Sequence, residues 1–190
     1  MKKSRRLIRN TILALNGIVV LYVGVNRLYG SEEFTRPAQR TSASELAMLR
    51  DFTDIEVSGD FSVDVVQEAS YSVGFTPSSA DHGQLVANVR GNTLVLQGFR
   101  NAPATRVRVG MPALTQLVAG EDVPALTVSG FDGASLSLRL SGRPQVVLRN
   151  NAVRRWIIFA AQYGELQFDR ASLSAGKVDL TGRATVAVID

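Results

Sequence analysis

Three times in the last third of the chain, an alternating apolar run, a short break and a second alternating run return at intervals of about 20 residues. The clearest copy is "LRLSGRPQVVLR", residues 138–149. Leu138 and Leu140 match Ile158 and Ala160, then Val178 and Leu180; beyond the break, Val146 and Leu148 match Leu166 and Phe168, then Val186 and Val188. Val153 matches Leu173, Leu136 matches Trp156, and the break itself reads Ser141-Gly142, Ala161-Gln162 and Thr181-Gly182. Alternation with period two sends successive side chains to opposite faces of a strand. No single copy can bury its own apolar face, so the copies must stack, which is the pattern of a solenoid. The three apolar clusters of each copy predict three short strands around a triangular interior. Gly142 and Gly182 fall at corners, where a positive φ is tolerated without a Cβ.

Upstream the period is also two. "IEVSGDFSVDVV" alternates from Ile55 to Val65, and "QLVANVRGNTLVLQ" reads as two strands around a Gly91-Asn92 turn. About six short strands fit between Phe52 and Val109. A less regular copy, "LVAGEDVPALTV", leads into the repeats about 22 residues ahead of the clearest one.

The stretches "FTDIEVSGDFSVDV", "RGNTLVL", "VRVGMPALTQLVAGEDV" and "LSLRLSGRPQVVL" resemble the head domain called GIN, the "putative auto-transporter adhesin" head. The resemblance runs from about Phe52 to Asp190. It implies an all-β fold, a right-handed parallel β-helix, on a bacterial envelope protein, and it transfers no functional residue. The copy around Gln162 departs from the Ser-Gly corner of that pattern.

The first thirty residues carry six of the chain's 21 cations (Lys2, Lys3, Arg5, Arg6, Arg9, Arg27) and no acid. An apolar run from residue 11 to 25, extended to Tyr29, reaches the roughly 20 residues a bilayer core requires, with Arg9 and Arg27 at its two interfaces. This predicts an N-terminal membrane-anchor helix over residues 1–30, a tether over 31–50 with a short helix at 44–49, and an ectodomain over 51–190. A cleaved signal peptide is the alternative, although Leu28 and Gly30 make a poor cleavage site. In either case the cations before the run keep the N-terminus inside. The domain then lies on the periplasmic side of the inner membrane, or is free in the periplasm or secreted after cleavage.

With those cations set aside, 15 basic residues face 17 acidic ones, so the net charge of +4 does not reside on the folded part. A nucleic-acid partner would require the reverse. The chain has no cysteine and one histidine, His82, read as an exposed loop residue, so no metal site and no cofactor are expected.

Placing the copies in register puts Arg139, Phe159 and Asp179 in one outward row, and Gln145, Glu165 and Thr185 in another. Arg149 stands over Asp169 as a surface ion pair, and no row stacks two acids as glycoside hydrolysis would need. The row of interest is Arg143, Tyr163 and Arg183, an aromatic between two guanidinium groups. It is either a ladder protecting the coil edge or a shallow site for an anionic glycan or lipid headgroup. The last copy ends in a strand, so Val178, Leu180, Val186 and Val188 form an edge that another chain or an internal plug would cover. These features predict a non-enzymatic envelope interaction module. A scaffold that oligomerises through that edge, or docks an envelope partner there, is the alternative, and a polysaccharide-active enzyme ranks third.

Overall fold

The structure, a computed structural model, describes residue 46 and residues 48–76, 85–98 and 106–189. The segment read as an anchor, most of the tether and His82 lie outside the described residues. Among the described residues no helix is long and apolar enough to cross a membrane.

Six strands occupy the first half: β1 (Asp54–Ser58), β2 (Ser62–Gln67), β3 (Ser72–Thr76), β4 (Leu85–Arg90), β5 (Thr93–Gly98) and β6 (Arg106–Met111). The expected hairpin is β4–β5, antiparallel, with Gly91 at φ 63° in its turn. Then follow β7 (Gln116–Ala119), β8 (Ala125–Ser129), β9 (Asp132–Gly133), β10 (Leu136–Leu140), β11 (Gln145–Arg149) and β12 (Ala152–Val153). The 15-residue β13 (Arg155–Asp169), the helix α1 (Arg170–Ala175) and β14 (Lys177–Ile189) complete the chain.

These strands form one large mixed sheet and one small one. Along one path β5, β1, β7 and β10 pair in parallel with the first half of β13. Along the other, β6, β2, β8 and β11 pair in parallel with its second half. β13 runs unbroken through the corner and joins the two paths, and β14 pairs with both of its halves. β3 and β4 close the far edges in antiparallel fashion, and β9 pairs with β12 as the separate small sheet.

The alternating pattern decides which side faces in. Ile55, Val63, Leu117, Leu126, Leu138, Val146, Leu148, Ile158, Leu166 and Phe168 are all essentially inaccessible and belong to one continuous apolar core. Burying each such side chain contributes roughly 1.5–3 kcal/mol. Trp156 pairs with Leu136 as expected, is fully buried, and meets Phe168 edge-on at 5.6 Å. Leu46, read as part of the tether, is only 4% exposed, and the Leu49 N–H donates to its carbonyl at 3.2 Å. The core therefore reaches back to that turn.

Two expectations are corrected. The first-half register of the last copy is displaced by two residues: Trp156 pairs with Val178, Ile158 with Leu180, Phe159 with Thr181 and Ala160 with Gly182. Asp179 therefore lies beside Ile157, not beside Phe159. The second halves pair as expected, Leu166 with Val186 and Phe168 with Val188.

The cause is the other correction. Where the connection from β11 to β13 carries the two-residue strand β12, the connection from β13 to the last copy is the six-residue helix α1. A helix advances about 1.5 Å per residue against about 3.3 Å for a strand, so it takes up more chain over the same distance. Asp169 caps it, its carboxylate accepting from the Ser172 N–H at 2.7 Å. The ladder returns to register at the next corner, where Ala161, Gln162 and Tyr163 of β13 lie opposite Arg183 alone.

Candidate functional site

That corner is where the candidate residues meet. In β10 and β11 the turn is made at Gly142, with φ 139°, where an added Cβ would come within 2.5 Å of the Glu121 carbonyl oxygen. In β14 Gly182 makes it at φ 103°. The middle copy has Ala161-Gln162 instead, and β13 crosses the corner as continuous strand with a bulge between Ala160 and Gly164. Bulges re-aim side chains and withdraw backbone groups from the ladder.

Beside the bulge is a shallow depression of about 350 Å³ lined by Arg143, Phe159, Ala160, Ala161, Gln162, Gly182 and Arg183. Two members of the expected ladder, Arg143 and Arg183, thus line one concavity. The Tyr163 backbone belongs to β13, and its side chain lies outside the described residues.

The aromatic that does line the depression is Phe159, 48% exposed, paired in the ladder with Arg139 on one side and Thr181 on the other. Ile157, two residues before it on the same face, is 43% exposed. Alternation had already placed Phe159 outward. An outward aromatic in an otherwise polar row is the signal that marks it.

Two nearby carboxylates, Asp179 and Glu165, are engaged by neighbours. Arg155 donates from Nε to Asp179 at 2.7 Å, and Lys177 stands 3.7 Å from the same carboxylate. The hydrogen bond from Arg155 holds Asp179 below the ordinary aspartate range, with Lys177 adding to the effect. Glu165 accepts from the Gln167 amide at 2.8 Å.

Of the ion pair expected between Arg149 and Asp169, the structure shows only the pull of the Arg149 charge, and closer groups hold the carboxylate. Partial desolvation pushes its pKa up, but hydrogen bonds from Ser172 and from the Asn150 N–H at 2.6 Å, with the charge of Arg149, pull it below the usual value. On the opposite path Glu68 is lowered by hydrogen bonds from Arg108 and Ser72. Arg106 lies 3.5 Å from Asp64. Among the described residues, no three His, Cys, Asp or Glu side chains gather as a metal site would require.

The proposed edge is exposed as well. Leu180, Val186 and Val188 are 38%, 44% and 53% accessible, whereas their ladder partners Ile158, Leu166 and Phe168 are buried. Val178 is half-buried.

No curated protein matches the sequence. Among solved structures, a "putative adhesin" from Bacteroides fragilis is 10% identical, covers 74% of this chain and 94% of its own, and superposes with a TM-score of 0.44. A "putative adhesin" from Parabacteroides distasonis is 11% identical over 74% of this chain and 94% of its own, TM-score 0.37. A "putative lipid binding protein" from the same species is 11% identical over 74% and 93%, TM-score 0.37. The sequence profile of one family matches residues 51–190, and the chain belongs to that family, "Putative auto-transporter adhesin, head GIN domain".

Proposed function

We propose that this chain is a bacterial envelope protein whose residues 51–190 act as a non-enzymatic, adhesin-like binding head outside the cytoplasmic membrane, with residues 1–30 as its membrane segment. The pairings spaced 20–22 residues apart are, on this reading, successive turns of a right-handed parallel β-helix. The observation that carries the function is the outer surface at the end of the sheet. There Phe159 and Ile157 stand exposed among Arg139, Arg143, Arg155 and Arg183. Exposed apolar side chains rimmed by charged ones, here the four arginines together with Asp179 beside Ile157, are a feature of interaction surfaces. The adhesin description of the family supports the same reading.

Two arms test it. A reporter enzyme active only outside the cytoplasm is fused after Asp190, and the purified full chain is tested for retention by envelope polysaccharide. An active reporter with retention is the expected result; an inactive reporter removes the envelope reading.

The exposed edge favours a second reading, a scaffold in which two copies meet through β14. A two-fold axis beside that strand would pair the two edges antiparallel and cover Leu180, Val186 and Val188 on both copies, giving a closed dimer. Light scattering of the full chain over a wide concentration range discriminates. A dimer dispersed by Val186→Lys and Val188→Lys supports the scaffold, and a monomer throughout removes it.

A further inference from the structure

We infer that the depression at the β13–β14 corner is a subsite for a carboxylated sugar, such as a uronic acid residue of an acidic polysaccharide. The inference rests on the binding-head reading above and gives it a ligand class. Arg143, between β10 and β11, and Arg183, in β14, both line the depression, and none of its lining residues is an acid. Two arginines lining one concavity suit a planar oxyanion, which a guanidinium group can hold through paired N–H donors.

Phe159 supplies the second half of the recognition. Phe159 lines the same depression and is 48% exposed, so core packing does not account for it. An exposed aromatic face packs against the C–H face of a pyranose, whereas a free inorganic anion would make no use of it. The bulge supplies the third. With Ala161–Tyr163 opposite Arg183 alone, backbone groups there leave the ladder, and beside the Gln162 amide they suit sugar hydroxyls.

The size points the same way. A volume of about 350 Å³ lies at the small end of the roughly 300–1,000 Å³ range of ligand pockets and suits one or two sugar rings. A membrane surface would instead engage apolar groups that project, and Phe159 lies on the wall of a hollow.

The test is calorimetric titration of the purified full chain with trigalacturonate, with neutral galactotriose as control. The expected result is binding of the acidic trisaccharide alone, weakening as salt rises. Arg143→Ala and Arg183→Ala should each weaken it about ten-fold or more, and Phe159→Ser several-fold. All three residues are exposed, and circular dichroism of each variant checks that the fold is retained.

Equal affinity in wild type and variants overturns the site. Retention of other glycans without uronate binding overturns the ligand class and leaves the binding head standing. Failure to retain any envelope glycan overturns both. Binding of anionic phospholipid vesicles through the same three residues, with no binding of trigalacturonate, assigns the hollow to a lipid headgroup and overturns the sugar.

Discussion

Gly182 lies opposite Ala160 in the last parallel ladder, so close that a Cβ on Gly182 would collide with the Ala160 carbonyl oxygen. Its φ of 103° is also one that side-chain-bearing residues rarely adopt. Gly182→Ala should therefore cost about 2 kcal/mol or more. Gly91→Ala is the control: φ there is 63° and an added Cβ meets nothing within 4 Å, so the cost should stay near 1 kcal/mol. Urea unfolding of the two variants measures the difference. Equal losses would remove the close approach as the reason for glycine at that corner.

Asn151, buried at 2% exposure, accepts from the Phe131 N–H at 3.0 Å and donates to the Val128 carbonyl at 3.0 Å. Its own N–H donates to the fully buried Ser172 hydroxyl oxygen at 2.9 Å. The side chain thus ties β8 and the turn after it to α1. Asn151→Ala strands a backbone donor and acceptor away from water and should destabilise by about 2–4 kcal/mol. Ser172→Ala, which removes one acceptor, should cost less. The comparison is made by thermal and chemical unfolding.

Asp169 gives a pH dependence with a defined sign. Its folded pKa is depressed, so the stabilisation is present above the ordinary aspartate value of 3.8 and is lost as pH falls through the lower folded value. Asp169→Ala should lose about 1 kcal/mol near neutral pH, through the cap. Wild type and variant should then converge in stability at the acid end. Asp169→Asn, which can still cap, should fall between them. A constant gap between wild type and Asp169→Ala down to the acid limit would contradict this assignment.

The register of the last copy can be read by cross-linking, because the chain has no native cysteine. Phe159→Cys with Thr181→Cys places two exposed thiols on directly paired residues, within disulfide reach. Phe159→Cys with Asp179→Cys leaves the Cα atoms roughly 8 Å apart, beyond it. Oxidation should close the first pair and leave the second open. The opposite result would restore the unshifted alignment of copies.

That alignment marks where the sequence stopped being legible. Alternation revealed the strands because burial acts on every second residue, and it placed Leu138, Ile158, Leu166 and Phe168 inside correctly. It is blind to a shift of two, which keeps each apolar side chain on its own face. Thr181-Gly182 also imitates Ser141-Gly142 at a spacing of 40, which favoured the unshifted reading. The helix α1 was hidden for another reason: "RASLSA" is too short to show a helical period, although Asp169 and Ser172 at its start carry a capping pattern. Arg143 and Arg183 were legible as neighbours of one corner. The bulge between them and the depression lined by Phe159 were not, because they arise from chain lengths in two copies compared, not from any one residue.

The most direct measurement is amide chemical-shift mapping of the isotopically labelled full chain titrated with trigalacturonate. Saturable shifts concentrated at Phe159–Gly164 and Thr181–Arg183 are expected, with Arg143 joining them from the adjacent turn. Shifts concentrated on any other face, or none up to saturating ligand, would contradict a binding site at this corner.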